Sequence, residues 1–423
     1  NAYLTMLLDT GVLHWSSADE LTHGNLFHVC ESVQELLPFG EEDRGLVFLP
    51  LAHILQRYIT YLGLRAGISG YYVTDLSELP ERMRSARPTV LAAVPRVLEK
   101  IQSTALATAA SMGGLRERVF HRAFELGMAA GAQERSGRRP GLWTRALLRV
   151  ADRLVFRKVR DRLGGSVKVI VSGGAPLAPH LSEWFAAAGI LVIEGYGLTE
   201  TSAPAATNRP DLYRFGSVGP AIPGTQVRIA SDGEIEIRGP GVFRGYYRDP
   251  QATTEAFTPD GFFRSGDIGE LDSDGFLRIT GRKKNIIITA GGKNIGPGRI
   301  ENRLKDHLLV GQAMVVGDQK PYLVAWFSLD HEDALTWAAA EGILETDLSR
   351  LARHPRVVES ITSHVDDINA GLAPYETIKR WGIADRPFLP ENGYLTPTLK
   401  LRRRAILTDY GPQIEALYLA PRS

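Results

Sequence analysis

Cysteine is nearly missing from this sequence: Cys30 is the only one in 423 residues. That excludes an intrachain disulfide framework and a zinc centre built on cysteines, and it fits a reducing cytoplasm. Cys30 itself reads as a small core residue. No uninterrupted apolar run is long enough to span a bilayer, and the first residues lack the basic-then-apolar order of a secretory signal. Neither sign of charge is in excess. With 49 Lys and Arg against 48 Asp and Glu, nothing global argues for nucleic acid or for an acidic partner, so any such case must be local. Internal repeats and low-complexity segments are absent. No methionine precedes Asn1, and the expectation is that the beginning of a longer chain is missing.

What is present is ample core material. At 44% hydrophobic residues, a chain of this length divides into two or three domains. Leu21 to Leu26 opens an amphipathic helix with Thr22 as its cap and apolar positions at Leu26, Val29, Val33, Leu36 and Leu37. Gly45 to Pro50 reads as a buried strand followed by Leu51-Ala52-His53 entering a helix. Arg87 to Arg96 repeats the order of strand, proline stop, helix. Strands alternating with helices imply βαβ units and a mostly parallel sheet, an α/β fold whose ligands gather beyond the carboxyl ends of the strands. His53 stands at such an end, where a lone histidine is either a packing residue or a catalyst.

From Leu115 to Leu163 the chain turns helical and basic. Trp143, Leu147, Val150 and Leu154 make one apolar stripe, and Arg145, Arg149, Arg153 and Arg157 recur at four-residue spacing along another face. The arginines read either as a solvated face or as a surface for anionic lipid or a polyphosphate.

Two glycine-rich turns then follow successive buried strands. Ser166 to Val171 ends in Ser172-Gly173-Gly174-Ala175-Pro176-Leu177, and Gly189 to Ile193 ends in Glu194-Gly195-Tyr196-Gly197-Leu198-Thr199-Glu200. Small residues at a strand end let backbone meet a ligand edge, and two glycines beside a tyrosine admit a flat ligand against a stacking ring. Thr199 and Glu200 add a hydroxyl and a carboxylate, a kit for a nucleotide and its metal. An ordinary strand-to-helix turn is the other reading of the same heptad.

After Phe215 short strands and turns point to a small antiparallel β subdomain. It runs into Ser265-Gly266-Asp267 and Gly281-Arg282-Lys283-Lys284. Asp267 can accept two bonds from a ribose diol and Arg282 can offer a fork of donors, although each alone reads as a surface turn residue. Gly291-Gly292-Lys293-Asn294 ends another strand, and residues to the C-terminus suffice for an α+β domain with its own core. Near the end stands Thr396-Pro397-Thr398-Leu399-Lys400, whose lysine could be delivered to a phosphate.

These six motifs, in this order, resemble the adenylate-forming superfamily of acyl-CoA synthetases, luciferases and peptide-synthetase adenylation domains, and within it bacterial long-chain fatty acyl-CoA synthetases. The resemblance runs from about Leu21 to the C-terminus. It implies a truncated N-terminal adenylation domain over residues 1–283 and a mobile C-terminal domain over 284–423, with Lys284 as hinge. By the resemblance, Gly173, Gly174 and Ala175 line the adenine pocket, Glu194, Gly195, Tyr196 and Gly197 complete it, and Tyr196 stacks on the base. Thr199 contacts phosphate, Glu200 holds Mg²⁺, and Asp267 with Arg282 binds the ribose. Lys400 reaches the acyl-phosphate oxygens, Gly291 and Gly292 line the pantetheine tunnel of CoA, and His53 sits near the substrate carboxylate. The implied activity is ATP-dependent acyl-adenylate formation followed by transfer to CoA, with fatty acid, ATP and CoA as small-molecule partners. Localisation would be cytoplasmic, with residues 115–163 as the surface for any peripheral membrane contact.

The resemblance breaks before Leu21. Where the superfamily has a Ser/Thr/Gly-rich loop with a lysine, which neutralises the β and γ phosphates, this chain has His14-Trp15-Ser16-Ser17-Ala18-Asp19-Glu20, and its two carboxylates would repel them. An incomplete active ligase, a decayed one, and a chain that binds nucleotide or acyl group without turnover all remain open, as does a ligase that passes acyl-AMP to a carrier protein.

Overall fold

The structure, a computed structural model, describes residues 19–37, 39–396 and 400–419. Residues 14–18 of the divergent loop and 397–399 of the lysine loop lie outside the described residues. The chain packs as two compact units, Asn1–Ser265 with Gly269–Ile279, and Gly266–Ile268 with Thr280–Ser423.

In the first unit, α1 (His23–Leu36) starts where the sequence says it should. The Thr22 hydroxyl accepts the Asn25 N–H at 3.1 Å, and the Asn25 side chain accepts the Thr22 N–H at 2.8 Å. This reciprocal cap satisfies two donors that the first turn would leave open. Then come β1 (Arg44–Val47), α2 (Ile54–Ala66), β2 (Ser69–Tyr72), α3 (Leu79–Ala86) and β3 (Val90–Ala93). A helical block follows, α4 (Pro95–Met112), α5 (Gly114–Arg135), α6 (Leu142–Ala151), a wide π turn at Asp152–Phe156, and α7 (Arg157–Arg162). The chain re-enters the sheet as β4 (Val169–Ser172), α8 (Pro179–Ala187), β5 (Leu191–Leu198) and β6 (Ala203–Thr207).

The sheet runs β2-β1-β3-β4-β5-β6. Its first five strands are parallel, as the βαβ reading requires, and β6 turns back antiparallel to β5. Apolar clusters fill both faces. On one, Phe124 of α5 stacks on Trp184 of α8 with centroids 4.3 Å apart; on the other, Val29, Val33, Tyr58 and Leu62 from α1 and α2 pack on Val90, Val169 and Ile193 of the sheet. Buried on both faces, the central strands β3 and β4 have continuous apolar runs instead of alternation. Cys30 is buried among the second set, and burial pushes its thiol up to about 11.

A four-stranded sheet in the order β10-β9-β8-β7 makes the predicted β subdomain from β7 (Gln226–Ile229), β8 (Glu234–Arg238), β9 (Phe263–Leu271) and β10 (Leu277–Arg282); β7 and β8 are antiparallel, and α9 (Pro250–Ala256) lies between β8 and β9 in sequence.

The second unit contains the short hairpin β11 (Ile287–Ile288) and β12 (Asn294–Ile295), then α10 (Pro297–Leu304), β13 (Val310–Val316), β14 (Leu323–Leu329), α11 (His331–Ala340), α12 (Leu348–Leu351), α13 (Pro355–Ala370), β15 (Ile378–Ile383) and α14 (Arg403–Leu419). Its sheet β13-β14-β15 is antiparallel then parallel. Phe327, Leu323, Ile300 and Ile361 are fully enclosed between sheet and helices, the independent core the composition predicts.

Candidate active site

Parallel register sets the site. Ser172, the last residue of β4, lies opposite Glu194 of β5 and Ala93 of β3, so the first glycine turn leaves the sheet level with the start of the tyrosine heptad. The heptad is not the turn that the sequence suggests. β5 continues through Leu198, because β6 pairs with it from Gly195 opposite Thr207 to Leu198 opposite Ala203. The turn comes later, at Thr199–Thr201, and leaves through Ser202 and Ala203, both at positive φ. Two successive non-glycine residues in that region store backbone strain beside Thr199 and Glu200.

The glycines of the heptad also have a different task. A Cβ on Gly197 would lie 1.8 Å from the Ala203 carbonyl oxygen, and one on Gly195 would touch the Thr207 hydroxyl at 3.4 Å. Close approach of β6, a strand of the same chain, demands the glycine at 197, while at 195 an added methyl would make ordinary contact. Gly174 is different: it takes φ +83°, and the space where its Cβ would stand is open to His53 and Val94 at 3.9 Å.

Around these strands lies a cavity that is partly open to solvent. At one end are His53, Gly173, Gly174, Gly195, Tyr196 and Gly197; from there it runs between α2 and the sheet past Tyr58, Leu62 and Ile68. From His53 to Gly63 along α2 is about 15 Å at 1.5 Å per residue. His53 caps α2, its Nδ1 accepting the Leu55 N–H at 3.3 Å. Ser172 lines the cavity with a buried hydroxyl that has no partner. In the sequence Ser172 is marked only by its motif, because an orphaned polar atom is visible only once its surroundings are known. Ala175 lies on the exposed turn beyond Gly174 and does not line the cavity.

Glu194 is buried, takes the Leu177 N–H at 3.3 Å, and is pushed by burial up to about 7. It thus holds its proton to about pH 7 when folded, against an ordinary value of 4.5. The stability linked to it is complete below pH 4.5 and is lost as the pH rises towards 7. Glu194→Gln, always neutral, is expected to gain stability over the wild type progressively across that window. Urea denaturation at several pH values checks this, and parallel stability curves would contradict it.

Beyond the strained turn, the Tyr246 hydroxyl donates to Glu200 Oε1 at 3.3 Å. Asp19 forms an antiparallel bridge with Tyr246, while the Glu20 N–H donates to Gly245 O at 2.9 Å and Glu20 O accepts from Arg244 at 3.0 Å. Burial first and the Glu200 charge second push the Asp19 carboxyl up to about 7, and its Oδ1 is buried without a partner. Burial and the neighbouring Glu200 thus favour the protonated Asp19 carboxyl over the ionised one. Glu200, Asp19 and the Thr199 hydroxyl are hard oxygen donors, a set that suits Mg²⁺. Among the described residues no group of three or more His, Cys, Asp or Glu could hold a metal, so a magnesium ion here would take its remaining ligands from phosphate and water. Tyr246, remote in sequence, left no signal.

The second unit groups three more of the predicted residues. Asp267, buried on β9, receives Arg282 Nε at 2.8 Å. Desolvation, then Arg282, hold the Lys400 ammonium below its usual range, and Asp267 opposes them. The ends of the lysine loop are tied by Thr396 N–H to Lys400 O at 2.8 Å and Lys400 N–H to Thr396 Oγ1 at 3.1 Å. Gly291 and Gly292 form the exposed tip of the β11–β12 hairpin, where Gly292 takes φ +72° and its N–H bonds Thr289 O at 2.8 Å. Lys284 is exposed on a short turn.

Known proteins resemble this chain in sequence and in fold. The profile of a family described as AMP-binding enzyme matches residues 20–247, and that of the AMP-binding enzyme C-terminal domain matches 284–421. The long-chain-fatty-acid–CoA ligase FadD15 of Mycobacterium tuberculosis is 40% identical over 418 residues, 98% of this chain and 69% of the relative. The peroxisomal long chain acyl-CoA synthetase 6 of Arabidopsis thaliana is 35% identical over 94% of this chain and 58% of its own length. In fold, the chain resembles ATP-bound MatB from Rhodopseudomonas palustris, with TM-score 0.64, 24% identity, and coverage of 94% of this chain and 66% of that one. It likewise resembles the Bacillus subtilis o-succinylbenzoate CoA synthetase MenE in complex with its acyl-adenylate, at TM-score 0.63, 23% identity, 92% of this chain and 66% of that one.

Proposed function

Since the chain belongs to the AMP-binding enzyme family, we propose that it joins a long-chain fatty acid to coenzyme A through an acyl adenylate. The observation that carries this reading is the cavity, which has small and polar groups at the glycine turns and apolar walls along α2. Burial of an aliphatic tail is worth about 0.8 kcal/mol per methylene, so such walls favour a long acid over a compact or charged one. In the first step a carboxylate oxygen attacks the α-phosphorus of ATP, and the bond to the β-phosphate oxygen breaks to release pyrophosphate. In the second the CoA thiolate attacks the acyl carbon and AMP leaves.

The protein supplies position and charge. Tyr196 offers its ring to adenine; Asp267 and Arg282 take the ribose hydroxyls; His53 orients the acid; Thr199 donates to phosphate; Lys400 offsets charge on the acyl-phosphate oxygens. Glu200 with Asp19 and Thr199 would hold Mg²⁺, whose contribution when bound is to neutralise the departing phosphates. Lys284 is the proposed hinge, and Gly291 and Gly292 the proposed lining for pantetheine.

Incubation with palmitate, ATP, Mg²⁺ and CoA is expected to release AMP and form a thioester only with all four present. A second reading, binding of nucleotide without turnover, is favoured by the departure from the superfamily's lysine-bearing loop before Leu21 and predicts AMP binding with no product from any acid. Product that forms without CoA on an added carrier protein would instead identify a carrier-dependent ligase. Asp267→Ala is expected to weaken AMP binding about 10- to 100-fold, the worth of a hydrogen bond to a charged group. Calorimetry measures it, and unchanged affinity would remove Asp267 from the site.

A further inference from the structure

A lysine on a loop meets a reacting group at a fixed place only if its backbone is held. The residues flanking Lys400 pair as a short two-stranded ladder with three rungs: the Arg402 N–H donates to Tyr394 O at 2.8 Å, Leu395 forms an antiparallel bridge with Leu401, and Thr396 and Lys400 exchange the two bonds described above. Lys400 stands at one end of the ladder and Tyr394 at the other. Tyr394 is 4% exposed, its ring packs on Phe388 and Tyr410 with centroids 5.1 and 5.8 Å away, and its hydroxyl donates to Asp409 Oδ2 at 2.6 Å. Asp409 belongs to α14, and its neighbour Tyr410 donates to Asp385 Oδ1 at 2.6 Å. Between these ties Asn392 closes the intervening loop, donating to the Pro387 carbonyl at 2.8 Å and accepting the Leu389 N–H at 3.0 Å.

We propose that Tyr394, through its bond to Asp409, is the positioning residue for Lys400 in adenylate formation. The two strands of the ladder are tied differently. The strand at 400–402 runs into Arg403, which is bonded to Glu301 and to the Val315 carbonyl. The strand at 394–396 has the apolar contacts of Leu395, which set no direction, and the Tyr394–Asp409 bond, which does. Packing in the aromatic cluster would be served equally by phenylalanine. The hydroxyl adds a directional bond to a carboxylate, so the ladder takes one setting against α14. Resting on the acyl-adenylate reading, this gives Tyr394 a role in one half-reaction only, because Lys400 is placed at the acyl-phosphate oxygens of the first step. Tyr394 itself touches no substrate in this role; it acts through the backbone that carries the lysine.

Tyr394→Phe keeps the ring and removes the bond. It is expected to slow palmitate-dependent pyrophosphate exchange about tenfold or more, since a misplacement of about 1 Å at a reacting group costs on the order of 10²-fold, with KM for ATP and palmitate unchanged. Thioester formation from added palmitoyl adenylate and CoA should keep its rate. In a Lys400→Ala background the same substitution should cost nothing further, because the group it positions is gone. Asp409→Asn, which retains an acceptor oxygen, should recover most of the rate that Asp409→Ala loses. Without substrates, deuterium exchange at the Thr396 and Lys400 amides should quicken in Tyr394→Phe by more than at the β13 amides. A full exchange rate in Tyr394→Phe, equal slowing of both half-reactions, or a further loss in the Lys400→Ala background would overturn the proposal. Absence of pyrophosphate exchange in the wild type would overturn the adenylation reading, whereas unchanged amide exchange in Tyr394→Phe would overturn the positioning role alone.

Discussion

Lys400→Ala is expected to lower acid-dependent exchange of pyrophosphate into ATP by a factor of about 10²–10³, the cost of one lost charge-stabilising group at a reacting centre, while AMP affinity stays nearly unchanged. The split follows from where the cation acts. A group that meets charge only as the acyl-phosphate bond forms contributes little to holding the nucleotide. The loop bearing Lys400 is closed at its ends by the two bonds to Thr396. Just beyond it, Arg403 is anchored to Glu301 and to the Val315 carbonyl at 3.1 Å, which ties the start of α14 to α10 and β13. Truncating Lys400 should therefore leave the fold intact. Full exchange activity in the variant would show that another group does this work; equal losses in exchange and in AMP binding would assign Lys400 to nucleotide binding instead.

The other large effect is structural. Gly197→Ala adds a single methyl group, yet that atom would stand 1.8 Å from Ala203 O and 2.9 Å from Pro204 Cα. Backbone cannot rotate aside as a long side chain can, so β5 and β6 must part where Leu198 pairs with Ala203. Overpacking costs about 1–3 kcal/mol, and a clash with backbone belongs at the upper end. A corresponding drop in the urea-derived stability, together with loss of AMP binding through the displaced Tyr196 and Thr199, is the expected outcome. A variant of wild-type stability would mean that the strands tolerate more separation than the geometry allows.

Gly197 also shows how far the sequence could be read. Its place between a tyrosine and Leu198-Thr199-Glu200 reads as part of a ligand turn, but the reason for the glycine, a returning strand from residues 203–207, is a pairing between segments that no local pattern announces. The reverse holds for Thr22 and His53. Capping is a local interaction between residues two or three apart; Thr22 caps where the sequence places it, and His53, read only as entering a helix, caps α2. The stripe from Trp143 to Leu154 has a periodicity as clear as any in the chain, yet period alone cannot say which of two faces finds a core; Leu148, Val155 and Val159 take that role. Asp19 was legible as a departure from the superfamily pattern. Its protonation near neutrality was not, because burial and the neighbouring Glu200 come from residues far away in the chain.

By itself, the sequence determined the alternation of strand and helix, the parallel sheet, the separate C-terminal core and the six motifs that mark an adenylate-forming chain. Each of these is written in local periodicity, turn chemistry or short contiguous runs. Only the tertiary structure decided that β6 extends the tyrosine strand, that Ser172 and Asp19 keep unpaired buried oxygens, that a cavity runs along α2, and that an apolar stripe stays in water. Those outcomes depend on which surfaces meet, and burial, desolvation and strand pairing are properties of the meeting rather than of either partner.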